Sequence, residues 1–115
     1  MIKGAAIEVH RHLGPGLLES VYEAILAFEL VERGLAVERQ KPISIDYKGL
    51  HFDEALRIDL WVANDVVVEL KCVDALLPIH EAQLLSYLRL TRSKVGLLIN
   101  FKVPVLRHGI KRLVN

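Results

Sequence analysis

The chain has 115 residues, 52% of them hydrophobic, with a formal net charge of +1 at pH 7. That length suits one domain, expected to span residues 1–115, and the apolar fraction calls for a packed core rather than disorder. The single cysteine, Cys72, excludes an internal disulfide framework and a four-cysteine cluster, and no apolar run approaches the ~18 residues of a membrane span.

Residues 2–13 read as a first helix, because Ile2, Ala5, Ala6, Val9 and Leu13 recur at helical spacing. The apolar start is interrupted by Glu8 and lacks a signal-peptide pattern, so the expected compartment is the cytosol. Gly14-Pro15-Gly16 ends that helix. A second helix is expected over 17–33, with Leu18, Val21, Tyr22, Ile25, Phe28 and Leu30 inward and Glu23, Glu29, Glu32 and Arg33 outward. Gly34 is placed to stop it.

Short strands follow at 37–40, 43–47 and 50–54, the last two joined by a turn at Lys48-Gly49. A hairpin comes next, 56–62 and 66–71, around Ala63-Asn64-Asp65. Pro78 opens a helix reaching about Arg92. Val95–Phe101 is short and apolar enough for a buried strand, and 109–114 reads as a last edge strand. This order predicts an α/β fold, a mixed sheet packed by helices.

The hairpin carries the chemistry. Strand alternation puts Arg57, Asp59 and Trp61 on one side, with Ile58, Leu60 and Val62 on the other. In the next strand Val67, Glu69 and Lys71 share a side. If Val62 pairs with Val66, Asp59 falls opposite Glu69, and like charges placed so repel. A divalent cation between them is the natural remedy, since hard cations take carboxylate oxygens. A pairing of Arg57 with either carboxylate is the structural alternative, and a solvated strand face is the plainest one.

Four further polar positions lie on helices. Glu19 sits in a first turn, where the helix dipole favours a carboxylate, and Tyr22 follows on the same side. Gln83 and Tyr87 are spaced i, i+4 among leucines. Trp61 and Cys72 read most simply as packing residues. His12, His51, His80 and His108 read as surface or capping residues, with no zinc-type spacing. Charge is uneven: residues 1–56 hold 6 Lys and Arg against 9 Asp and Glu, while 57–115 hold 9 against 5. A basic second half fits a phosphate-bearing partner, though a mixed soluble surface accounts for it as well.

Gly16-Leu17-Leu18-Glu19-Ser20-Val21-Tyr22 resembles the signature of the GxxExxY proteins, small prokaryotic domains of the PD-(D/E)XK nuclease superfamily. The likeness continues through Val9-His10, Leu13-Gly14-Pro15-Gly16, Arg57-Ile58-Asp59-Leu60, Val68-Glu69-Leu70-Lys71, Leu77 to Gln83, Tyr87 and Gly96 to Phe101. It implies a restriction-endonuclease-like fold, a mixed central β-sheet flanked by helices. It implies that Asp59 and Glu69 bind metal, that Lys71 is the motif lysine and that Glu19 is an additional acid. Gln83 and Tyr87 resemble the Gln-x-x-x-Tyr motif of the RecB-like branch, and His10 resembles a metal-proximal histidine of that branch.

Phosphodiester hydrolysis suits these residues. Mg²⁺ or Mn²⁺ held by Asp59, Glu69, Glu19 and the Leu70 carbonyl would activate water and polarise phosphate. Lys71 would stand beside the attacking water or the phosphate, and Gln83 would orient one of them. Tyr22, Tyr87, Arg57 and His10 are the expected substrate-side residues. The expected partner is nucleic acid, DNA or RNA, with no membrane. So small a domain is expected to need a homodimer or a partner protein for grip. The rival expectation is a catalytically silent nucleic-acid-binding or regulatory module that keeps the fold.

Overall fold

The computed structural model describes residues 1–115. Its elements are α1 (Ile2–Leu13), α2 (Glu19–Glu32), β1 (Val37–Tyr47), β2 (Leu50–Val62), β3 (Val66–Lys71), α3 (Pro78–Thr91), β4 (Val95–Asn100) and β5 (Ile110–Val114). A 3-10 turn, Leu106–Gly109, precedes β5. The strands form one sheet in chain order. Only β3 and β4 are parallel; the other three neighbouring pairs are antiparallel. A parallel pair needs a crossover, and α3 supplies it. The result is an α/β fold, a five-stranded mixed sheet with helices on both faces.

Two apolar clusters sandwich the sheet. Ala5, Ala6 and Val9 of α1 and Tyr22, Leu26, Ala27 and Leu30 of α2 pack on Leu60, Val62, Val68, Leu70, Leu97 and Ile99. Leu84 and Leu88 of α3 pack on Ile58, Val67 and Leu98. Adjacent residues of β3 and β4 thus enter opposite clusters, which is why both strands are apolar without a break. Each fully buried Leu or Val contributes about 1.5–3 kcal/mol. Gly96 lets α3 lie close to the sheet, since a Cβ there would stand 2.9 Å from Leu84 Cδ1 and 3.0 Å from Leu88 Cδ2.

Three expectations change. The four short segments before residue 62 are halves of two long strands, β1 and β2, with an irregular register between Ile43 and Ile45. The far half of this hairpin lies outside the core, and residues 50–55 are all exposed. On α2 the buried stripe is Tyr22, Glu23, Leu26, Ala27 and Leu30, while Phe28 is 65% exposed and Leu18 72%. Apolar residues recur on more than one arc of the helix, with Glu19, Ser20, Glu23, Glu29 and Glu32 spread among them, and the sheet with α1 covers only one arc. That arc takes in Glu23.

Candidate active site

The β2–β3 hairpin pairs Val62 with Val66, Trp61 with Val67 and Leu60 with Val68. Ala63 and Asn64 turn the corner with φ of 54° and 56°. Continued one step, this register sets Asp59 opposite Glu69, but the ladder ends before them. Asp59 Oδ2 accepts the Leu70 N–H at 2.8 Å, and the Asp59 N–H points to Glu69 Oε2 at 3.4 Å. Each carboxylate therefore meets the backbone of the opposite strand.

Alternation also slips here. Ile58 and Trp61 face the α3 cluster, whereas Leu60 and Val62 face the α1–α2 cluster. Expected partners in one face are thus divided at Asp59. The slip turns its carboxylate into the gap between strands rather than squarely onto one face.

Glu69 is only 6% exposed. Burial, and then the neighbouring Asp59, pushes its pKa up to about 10, with Lys71 acting weakly the other way. Partial burial and the Asp59 charge also raise the pKa of Glu19, at the start of α2. On the opposite side, burial followed by the Glu69 and Asp59 charges raises the Tyr87 hydroxyl, with Gln83 beside it opposing. Glu19 on α2 and Tyr87 on α3 are thus within electrostatic reach of the pair. Gln83 is exposed on the same helix as Tyr87.

Arg57 does not neutralise the pair: its guanidinium bonds Glu54 at 3.2 Å, and that structural alternative is overturned. Asp59 and Glu69 are left side by side with no arginine or lysine bonded to either, Lys71 acting on Glu69 only through its charge. All the donors there are oxygens, and Leu70 adds one, because its C=O leaves the strand on the same edge as its N–H. Such a set suits a hard divalent cation held by one or two carboxylates and water. No group of three or more His, Cys, Asp or Glu side chains stands close enough to bind one metal ion, so Glu19 joins through charge rather than contact.

Two expected substrate-side residues are anchors instead. Tyr22 is fully buried, stacked on Phe101 with centroids 4.4 Å apart. Its hydroxyl donates to the Gly14 carbonyl and accepts the Leu17 N–H at 3.0 Å, so it ties the Gly14–Gly16 loop to the core. His10 is buried, and its Nε2 meets the Val103 carbonyl at 2.9 Å. A carbonyl only accepts, so Nε2 carries the proton and is committed to the loop after β4. Cys72 packs against the first cluster, and burial, then Glu19, raises its thiol pKa. Trp61 packs against the second, with Lys41 Nζ 5.8 Å from its ring centroid.

Three residues were not anticipated. Glu23 is 6% exposed and accepts from Arg39 Nη2 at 3.1 Å and Gln40 Nε2 at 2.5 Å. Gln40 Nε2 also lies 3.3 Å from Asp59 Oδ1. Asn100, 2% exposed, bonds both the carbonyl and the N–H of Val73 and so pins the chain leaving Lys71. A signal existed for Glu23: it stands i, i+4 from Glu19 and from Ala27, on the stripe that Leu30 continues. Nothing local marks Gln40.

A mixed sheet between helical layers, with Asp and Glu-x-Lys on adjacent strands, defines a nuclease-type α/β domain. The chain belongs to the PD-(D/E)XK nuclease superfamily, whose sequence pattern matches residues 1–113. Nucleases of that superfamily generally use divalent metal ions. Comparison with curated proteins and with solved structures found no match. No helix is long and apolar enough to cross a membrane.

Proposed function

We propose that the chain is a Mg²⁺- or Mn²⁺-dependent nuclease that hydrolyses phosphodiester bonds of DNA or RNA. The observation that carries this reading is Glu69, a buried carboxylate set against Asp59 with no arginine or lysine paired to either. Asp59, Glu69 and the Leu70 carbonyl would hold the cation, with Glu19 adding negative charge. When bound, the cation supplies an acidified water and neutralises phosphoryl oxygens.

The chain's own groups do the rest. The Leu70 N–H fixes Asp59 Oδ2 and so aims the other oxygen. Glu69 would hold the cation in its deprotonated form. Lys71, on the same side of β3 as Glu69, presents its ammonium to the phosphate or the attacking water. Gln83, Tyr87 and Arg57 border the substrate side. A second copy or a partner protein extends the grip on nucleic acid.

One observation favours the rival of a silent binding module: no third acidic ligand closes on the pair. The deciding experiment is cleavage of single- and double-stranded DNA and RNA with Mg²⁺ or Mn²⁺, beside Lys71→Ala. Metal-dependent cleavage lost in the variant supports the nuclease. Wild-type inactivity on every substrate, with binding intact, supports the rival.

A further inference from the structure

Consecutive residues of a regular strand point to opposite faces. Arg39 and Gln40 do not: both side chains reach the carboxylate of Glu23. The reason is the backbone of Gln40, which has φ 50°, the left-handed region that residues other than Gly, Asn and Asp rarely enter. The β1–β2 register is the same on both sides of this point, Arg39 with Leu60 and Lys41 with Ile58, yet Gln40 and Asp59, which face each other, do not pair. The distortions of β1 and β2 therefore coincide at these two residues.

The distortion brings the Gln40 amide nitrogen within 3.3 Å of Asp59 Oδ1 while it donates to Glu23. Asp59 is then held through both oxygens, Oδ1 by a β1 side chain and Oδ2 by the β3 backbone. We propose that Gln40, oriented by Glu23, is a positioning residue for Asp59. An amide suits this place because it donates without carrying charge. A guanidinium in its position would neutralise Asp59 and compete with a cation, and Arg39, its neighbour in β1, is directed to Glu23 instead. Left-handed backbone strain persists where the surroundings over-determine it, commonly at functional sites. The role as a metal-site positioner rests on the nuclease reading; the hold on Asp59 does not.

The test compares wild type with Gln40→Gly, which accepts the left-handed backbone, and Gln40→Asn, which tolerates it but is too short to bridge. Two readings are taken: hydrogen exchange of the Leu70 amide in metal-free protein, and Mn²⁺ affinity by calorimetry. Both variants should keep a melting temperature near that of wild type. Leu70 exchange should quicken about tenfold as Asp59 loosens, and Mn²⁺ should bind about 10–100-fold more weakly. Unchanged Leu70 exchange in both variants would overturn the proposal. Quickened exchange in a protein whose wild type takes up no Mn²⁺ would uphold the hold on Asp59 and overturn the nuclease reading alone.

Discussion

The Asp59 carboxylate accepts the Leu70 N–H at 2.8 Å, where a β2 carbonyl would stand if the hairpin ladder ran on. A side chain has replaced a backbone acceptor, which leaves Leu70 satisfied and frees the strands to part. Just beyond the end of the ladder Asp59 and Glu69 stand side by side, each carboxylate on the other strand's backbone. Fold and site share one hydrogen bond, and this coupling sets several expected outcomes.

Glu69 gives a signed pH dependence. Its pKa is pushed up to about 10 in the fold, against about 4.3 in an unfolded chain. Between those limits the folded state binds more protons, so stability is fullest at the acid end and falls as pH rises. Glu69→Gln holds the neutral form at every pH. In chelator, thermal melts of wild type and variant should diverge from pH 5 to pH 9, the variant being the more stable by more than about 1.4 kcal/mol at the alkaline end. Parallel curves would contradict the burial argument.

Metal should reverse that loss. Mg²⁺ or Mn²⁺ at a hundredfold excess over Kd should stabilise the wild type by about 2.7 kcal/mol. Its affinity should rise with pH, because Glu69 must give up a proton to bind. Asp59→Asn should abolish the rise in melting temperature. An equal rise in the variant would place the metal elsewhere.

Glu69→Gln and Lys71→Ala should each lower cleavage by about 100–1000-fold. The first should do so while gaining stability at pH 8, a divergence that unfolding cannot produce. Rates from single-turnover cleavage with metal, set beside melts of the same proteins in chelator, check this directly.

Tyr22→Phe should act on stability alone. It leaves the Gly14 carbonyl and the Leu17 N–H without their partner, at a cost of about 1–3 kcal/mol. For a domain of this size the melting temperature should fall by about 4–8 °C per kcal/mol. Cleavage per folded molecule should stay near that of wild type. A selective rise in KM would instead return Tyr22 to the substrate side.

Gly109→Ala should be the most damaging small change. Its Cβ would stand 2.3 Å from the Asn100 carbonyl oxygen. That oxygen belongs to a residue tied twice to Val73, so the backbone cannot yield cheaply. The expected result is little soluble protein or a melting temperature far below that of Gly96→Ala, where the close atoms are side-chain ends of Leu84 and Leu88 rather than backbone.

Much of this molecule is legible in its sequence. The limits of α1, the proline start of α3, the buried β4 and the edge strand β5 follow from local period and from Pro and Gly. The hairpin register follows from a three-residue turn, and it alone sets Asp59 against Glu69. These features depend on residues near one another in the chain, where spacing is geometry.

What the tertiary structure decided depends on distant partners. His10 and Tyr22 carry polar groups that suit a site, but Val103, Phe101 and the Gly14 loop claim them for the core. Glu23 lies on a helix whose apolar residues mark more than one arc, and only docking on the sheet selected the arc that takes it inside. Gln40 acquires its place from a backbone angle that no residue pattern announces. The sequence determined which side chains could make a carboxylate site and roughly where. Packing decided which polar groups stayed available, because burial forces each one to find a partner, and the partners come from elsewhere in the chain.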